Sequence, residues 1–381
     1  MGKKETGEHL DVNQKRKRPW RRRLLLPLLL LIAAVVCVVV FQDTLRARFA
    51  PQAASDAAAQ DEAFTYETGS GQVFAPAGNG LAVASSSALE LLDARGDTLF
   101  KQVVSYDTPA VFASDTLTLF CDLGSERCVL VGADGAALEL SPAGSIRTAS
   151  MNENGAFALV TDAAGYKGLV SVYNSDGALS YQWWSGTGYV LCAAVSPDGR
   201  TMAALCAETG GTVLHLFRLS SDTELARTEF SGELLFDLRF LGNNTLCAVG
   251  DEALVFLSAD GTETGRYEFG GSYLMDYAFG SESFVAVYLS PYRTGGGGTL
   301  STVASDGTLS ASLPMEQDVV SLSASSRLLA VMTAAGLHVY GQELATPRYE
   351  TSTLMTAKEI ILRPNGDLLL LSAYSAELIE F

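Results

Sequence analysis

The stretch YVLCAAVSPDGRTMAALCAETGGTVLHLFRLSSDTELARTEF, residues 189–230, contains four short runs of strand-forming residues separated by three corners. The runs are YVLCAAVS, TMAALCAE, TVLHLFRL and ELARTEF, and the corners carry Pro197-Asp198-Gly199, Gly210-Gly211 and Ser221-Asp222. Val, Leu, Phe and Thr favour a pleated, half-buried surface, while Gly, Asp and Ser supply the turns between. Asp198 could be read as an acid or a metal ligand. The choice between site and corner depends on whether the pattern recurs.

It recurs along most of the chain. One kind of corner appears at Gly78-Asn79-Gly80, Ser114-Asp115, Asn152-Glu153-Asn154-Gly155, Pro197-Asp198-Gly199, Gly242-Asn243-Asn244, Gly280-Ser281-Glu282, Ser323-Ala324-Ser325 and Pro364-Asn365-Gly366. From Asn79 to Asn365 there are seven steps over 286 residues, about 41 per step. A second kind falls midway, as at Arg95-Gly96, Asp134-Gly135, Asp176-Gly177, Asp260-Gly261 and Asp306-Gly307. Two hairpin corners per unit mean four strands per unit, which is the blade of a β-propeller. The fold class is therefore all-β, with four-stranded antiparallel blades. Eight copies of a catalytic acid would serve no chemistry, so Asp198 is a corner residue.

The last unit, KEIILR, DLLLLSAY and AELIEF, supplies three strands before the chain stops, and an orphan run, AFTYETG (63–69), precedes the first unit. A ring must join its ends, and an N-terminal strand completing the last blade removes an exposed edge. We expect eight blades closed in this way. The alternative is seven, with the irregular second or seventh unit over-divided.

Charge is unevenly distributed over the 381 residues. Residues 1–23 carry nine Lys/Arg and three Asp/Glu, and the remaining 17 basic and 40 acidic residues put the rest at −23. A domain of that charge repels phosphate backbones, which argues against nucleic acid as a partner. The basic tail (1–23) precedes LLLPLLLLIAAVVCVVVF (24–41), eighteen residues without a charge. As a helix it would extend ~27 Å, close to a bilayer's hydrocarbon thickness, with Pro27 in the first turn. The positive-inside rule keeps the tail cytoplasmic and sends the rest outward. The run exceeds a signal-peptide h-region, and no small-x-small site follows it directly, so an uncleaved anchor is expected. Residues 42–61 read as a stalk and 62–381 as the propeller ectodomain on the outer side of the cell membrane.

SPDG at Ser196–Gly199 resembles the corner of WD-repeat-like and Tol-type bacterial propellers, and SADGTETGRYEF (258–269) resembles the outer hairpin of quinoprotein-like propellers. The layout of basic tail, span, stalk and acidic propeller is similar to an uncharacterised family of membrane-anchored propellers in Gram-positive bacteria. Quinoprotein propellers carry a Trp near the end of each outer strand. Here Trp183 and Trp184 both fall in the third unit, so the resemblance does not extend to a quinone, and no cofactor is expected.

Catalytic signals are sparse. His215 and His338 fall mid-strand in third strands, with no Asp, Glu or Cys beside them in register, and read as half-buried strand residues. There is no G-x-S-x-G elbow, no CxxC pair and no Asp-rich calcium loop, so neither catalytic nor metal-ligating residues are assigned. Cys121 and Cys128 flank a six-residue connection, and Cys192 and Cys206 bracket the SPDG corner. Outside the membrane either pair could form a cross-strand disulfide, with buried free thiols as the alternative. Cys247 reads as a buried thiol.

What remains is surface. Outer-to-inner and second-to-third connections share one propeller face, which gathers Trp183, Trp184, Tyr189, Tyr273, Tyr292, Arg293 and Tyr374. Aromatics with Arg in Gly-rich loops suit a protein or glycan partner. One of Trp183 and Trp184 should pack between blades, because strand neighbours point to opposite faces. The functional expectation is a non-catalytic, membrane-anchored, extracytoplasmic scaffold that binds or senses at the cell envelope. The alternative is an enzyme with its site at the channel mouth, either a quinoprotein-like oxidoreductase or a polysaccharide-acting hydrolase or lyase. Convergent His, Arg and carboxylates at that mouth would mark the enzyme; small apolar and Ser residues would mark the scaffold.

Overall fold

The computed structural model describes residues 61–381 apart from 222, 281–283 and 353–356. The basic tail, the expected membrane span and nearly all of the stalk lie outside the described residues. Among the described residues no helix is long and apolar enough to cross a membrane.

Eight four-stranded antiparallel sheets follow one another around a ring. In chain order the first seven cover 73–103, 109–140, 146–185, 189–231, 235–268, 273–315 and 319–351. The eighth takes Glu359–Leu362, Leu368–Leu371 and Ser375–Ile379 from the end of the chain and Asp61–Thr65 from its beginning, in the order inner to outer. The count is eight rather than seven, and the N-terminal strand is the closing strand.

Each blade divides its strands by burial. The second and third are sheathed on both faces, as in Phe157–Thr161 and Gly168–Tyr173, where every residue is buried. Such strands read as continuous apolar runs. Outer strands alternate: Thr98–Val103 and Glu224–Ser231 expose every second residue or more. Pro is confined to positions that spare the ladder, such as Pro76 on an inner strand and Pro314 on an outer one, where one side of the backbone needs no partner.

The core is a series of apolar layers between adjacent blades. Phe64 and Tyr66 join Leu81, Leu92, Leu369 and Leu371 in the layer that sews the eighth blade to the first. The Tyr66 hydroxyl donates to the carbonyls of Ser372 (2.9 Å) and Ser375 (2.7 Å), more than 300 residues away in sequence.

The corners are built from Asx side chains. Asn152 Oδ1 accepts the N–H of Asn154 (3.0 Å) and of Ala156 (2.9 Å), and Gly199 takes φ = 68° beside Asp198. The first blade differs. Its positive φ falls on Gly78 (55°), not on Gly80, so Gly78-Asn79 forms the turn and Gly80 already belongs to the strand.

The described cysteines are all buried free thiols. Cys121 and Cys128 stand directly opposite across a hairpin, in one apolar layer. Cys192 and Cys206, left open between a cross-strand disulfide and buried thiols, do not meet. Cys192 packs toward the fifth blade and Cys206 toward the third, on opposite faces of their sheet. A bulge at Leu191 shifts the register between Val190 and Cys192, and a one-residue shift moves a side chain to the other face.

Candidate functional site: the upper face at the channel mouth

The face with the outer-to-inner and second-to-third connections is here called the upper face. The inner strand of each blade starts there and runs down the central channel. In five consecutive blades that strand carries a bulge two residues into its pairing. The extra residues are Arg147, Leu191, Phe236, Met275 and Val320. A bulge leaves its extra residue unpaired and re-aims its side chain. Phe236, Met275 and Val320 accordingly sit outside every apolar layer and are 38%, 40% and 54% exposed. Arg147 forms an ion pair with Asp162. Blades four to seven therefore contribute an apolar arc at the upper mouth, of Leu, Phe, Met and Val in turn.

Aromatic and cationic side chains share the upper face with this arc. Trp184, Tyr189, Tyr273, Tyr292 and Tyr374 are all exposed. Tyr189 lies under Lys167, whose ammonium is 4.6 Å from the ring centre and 3.2 Å from the hydroxyl. Tyr273 lies under Arg293, 5.5 Å away, and Tyr166 approaches Trp184 at 6.5 Å between ring centres. Neither Lys167 nor Arg293 has an ion-pair partner among the described residues. Trp183 takes the other course expected of the pair. It is half-buried between blades three and four, 4.8 Å from the ring of Phe217 and 5.0 Å from His215. Tyr374 belongs to the eighth blade and stands apart from the other aromatics, its carbonyl accepting the N–H of Tyr66.

Below the arc, side chains that follow the bulges of blades five to seven link neighbouring inner strands. Tyr277 donates its hydroxyl to Asp237 (2.8 Å). Asp276 accepts the N–H of Leu322 (3.2 Å), Ser321 that of Ile360 (3.2 Å) and Ser323 that of Leu362 (2.9 Å). The last three use backbone N–H groups on the free edge of the neighbouring inner strand.

Two of the carboxylates are electrostatically strained. Burial raises Asp276 above the usual range. Burial and then the charge of Asp276 lift Glu359 to about 6. Folded Glu359 thus keeps its proton up to about pH 6, whereas the unfolded chain releases it near the ordinary value, so this residue costs stability once pH rises through that window. The shift corresponds to about 2 kcal/mol at neutral pH. Glu359→Gln should therefore raise the melting temperature at pH 7.5 and leave it nearly unchanged at pH 4.5. Melting curves of the two proteins across that range provide the check, since titrations common to both cancel.

Both histidines have carboxylate neighbours, contrary to the reading from register. A break in pairing between Leu216 and Phe217 brings Glu224 to 2.6 Å from Nδ1 of His215, which is 6% exposed. His338 lies directly opposite Glu350, with 4.0 Å between side chains. Each belongs to a third strand, away from the channel. Among the described residues no group of His, Cys, Asp and Glu is arranged to hold a metal ion.

Residues 58–373 match a family of unknown function, DUF5711, and the chain belongs to that family. No curated protein sequence matches it. Among solved structures it is similar to BamB from Moraxella catarrhalis, with 14% identity and a TM-score of 0.57 over 85% of this chain and 100% of that one. It is also similar to the C-terminal WD40 domain of Sif2, with 12% identity and a TM-score of 0.60 over 85% and 98% of the two chains. These likenesses show a shared propeller fold.

Proposed function

We propose that this member of the DUF5711 family is a non-catalytic scaffold, held at the cell membrane by residues 24–41 with its propeller on the outer side, that docks a partner protein on its upper face. The observation that carries the reading is the arc of Leu191, Phe236, Met275 and Val320, which bulges hold outside every apolar layer. Apolar side chains outside the core on one face with exposed aromatics and cations that have no ion-pair partner are the composition of a protein-binding patch. The carboxylates beneath are engaged in joining blades, which favours a structural role for the channel over a chemical one. The +6 tail and the uncharged run after it support the anchor and its orientation.

Photo-crosslinking in intact cells tests the proposal. A photoreactive residue at Phe236 should capture a defined partner, and one at Leu138, exposed on an outer strand, should not. Met275→Asp in the same background should reduce capture about tenfold or more, as loss of a central apolar anchor does, with the melting temperature unchanged. Equal capture from both positions, or capture indifferent to Met275→Asp, would overturn the docking face.

A further inference from the structure

The opposite, lower face carries a groove of about 930 Å³ that runs across blades three, four and five. Its rim is the row of corners that includes SPDG, and blade-to-blade hydrogen bonds fix that row. Asn152 Nδ2 donates to the carbonyl of Ser196 (2.7 Å), Asn154 Nδ2 donates to that of Pro197 (2.9 Å), and the N–H of Asp198 donates to Asn243 Oδ1 (2.8 Å).

The corner chemistry sets the polarity of the groove. Asn174 Oδ1 is occupied by the N–H groups of Asp176 (3.1 Å) and Ala178 (2.9 Å), and Asn243 Oδ1 by that of Asp198. Their amide NH2 groups have no partner among the described residues. The side chain of Asn244, also in the lining, has no hydrogen-bond partner among the described residues, although its carbonyl accepts the N–H of Ala259 (3.0 Å). Arg200, in the corner just before the second strand, and Arg218, near the end of the third, both line the groove; Arg218 is opposite Thr201, and the N–H of Leu219 donates to the Arg200 carbonyl. Arg218 has no carboxylate partner among the described residues. Arg200 has only Asp198 at 3.8 Å, and Asp198 Oδ1 already accepts the Ser196 hydroxyl (2.7 Å) and the Arg200 N–H (3.1 Å). The groove is therefore rich in donors and carries a net positive charge, in a protein that is −23 beyond residue 23.

A lining of amide donors and two guanidinium groups complements a ligand rich in acceptors and negatively charged. We propose that the groove is a binding site for an anionic sugar, whose carboxylate or phosphate meets the guanidinium groups of Arg200 and Arg218 that line it and whose hydroxyls meet the amides of Asn174, Asn243 and Asn244. The site is on the other face from the docking arc, so the two proposals can fail independently.

Calorimetric titration of the full-length protein with trigalacturonate, glucose 1-phosphate and neutral maltotriose tests it. At least one anionic sugar should bind saturably, with maltotriose at least about tenfold weaker, and Arg200→Ala and Arg218→Ala should each weaken binding about tenfold. Binding of trigalacturonate alone would assign a uronate site, and of glucose 1-phosphate alone a sugar-phosphate site. Absence of binding by either anion at millimolar concentration, equal affinity for maltotriose, or an unaffected double variant would overturn the proposal. Unchanged melting temperatures of both variants exclude unfolding as the cause of a loss.

Discussion

Phe64→Ala is expected to cost about 3–5 kcal/mol of stability, the usual penalty for truncating a buried Phe. Phe64 is 3% exposed and lies in the apolar layer between the eighth and first blades. Its ring fills the space above Gly96, where an added Cβ would come within 2.1 Å of Phe64 Cδ1. The residue is thus packed from the first blade's corner as well as from its own sheet. The strand that carries it has one hydrogen-bonded neighbour, Ser375–Ile379, so it depends heavily on side-chain packing. Equilibrium urea unfolding should show the midpoint falling, with a shallow early phase if the ring opens before the blades melt. A loss below 1 kcal/mol would mean that the ring closes without this contact.

Asp122→Ala should cost about 3 kcal/mol, because it leaves two backbone donors without their acceptor and breaks an ion pair. Asp122 is fully buried. Its Oδ1 accepts the N–H of Asp107 (2.9 Å) and Thr108 (2.8 Å), and its Oδ2 pairs with Arg127. Burial opposes its charge, but the Thr108 N–H, the Arg127 guanidinium, Ser125 and the Asp107 N–H outweigh it and hold the carboxyl below the usual range. A lowered folded value contributes stability that is complete above the unfolded value, near 4, and disappears as pH falls through the folded one. The stability difference between wild type and Asp122→Ala should therefore be constant from pH 8 to 5 and shrink in more acidic solution. Asp122→Asn separates charge from shape. Its amide oxygen can still accept, so it should recover part of the loss at neutral pH.

The ring was legible in the sequence because its corners repeat. Asx and Gly residues at about 41-residue intervals fix strand number and blade count whichever residues fill the strands between. The three-strand final unit likewise revealed the closing strand, since a ring leaves no other partner for it. The split fates of Trp183 and Trp184 follow from strand alternation alone. The bulges were hidden. An inserted residue leaves composition and apolar texture unchanged, and only aligning the units shows Val190-Leu191-Cys192, Leu235-Phe236-Asp237, Leu274-Met275-Asp276 and Val319-Val320-Ser321 as one motif, an apolar pair followed by a small or acidic residue. The hidden bulge at Leu191 is why the sequence left the Cys192–Cys206 pairing open, because it turns Cys192 away from Cys206. The same kind of irregularity explains Glu224, brought to His215 by a register break. The lower groove had no signal in the sequence, because it forms only where the corners of neighbouring blades pack together. Asp198 is a corner, as its repeats indicate, but the donors of neighbouring corners are left facing outward together.

Closure by the first strand also has a cost in time. The strand Asp61–Thr65 is among the earliest parts of the ring to leave the ribosome, and its partner Ser375–Ile379 is the last. At ordinary elongation rates roughly 15–60 s separate the two. Throughout that interval the nascent ring is an open arc with an unpaired edge at its growing end and an early strand that has no sheet to join. Chaperone attendance during synthesis, rather than final stability, should then govern how much of the protein reaches its closed form.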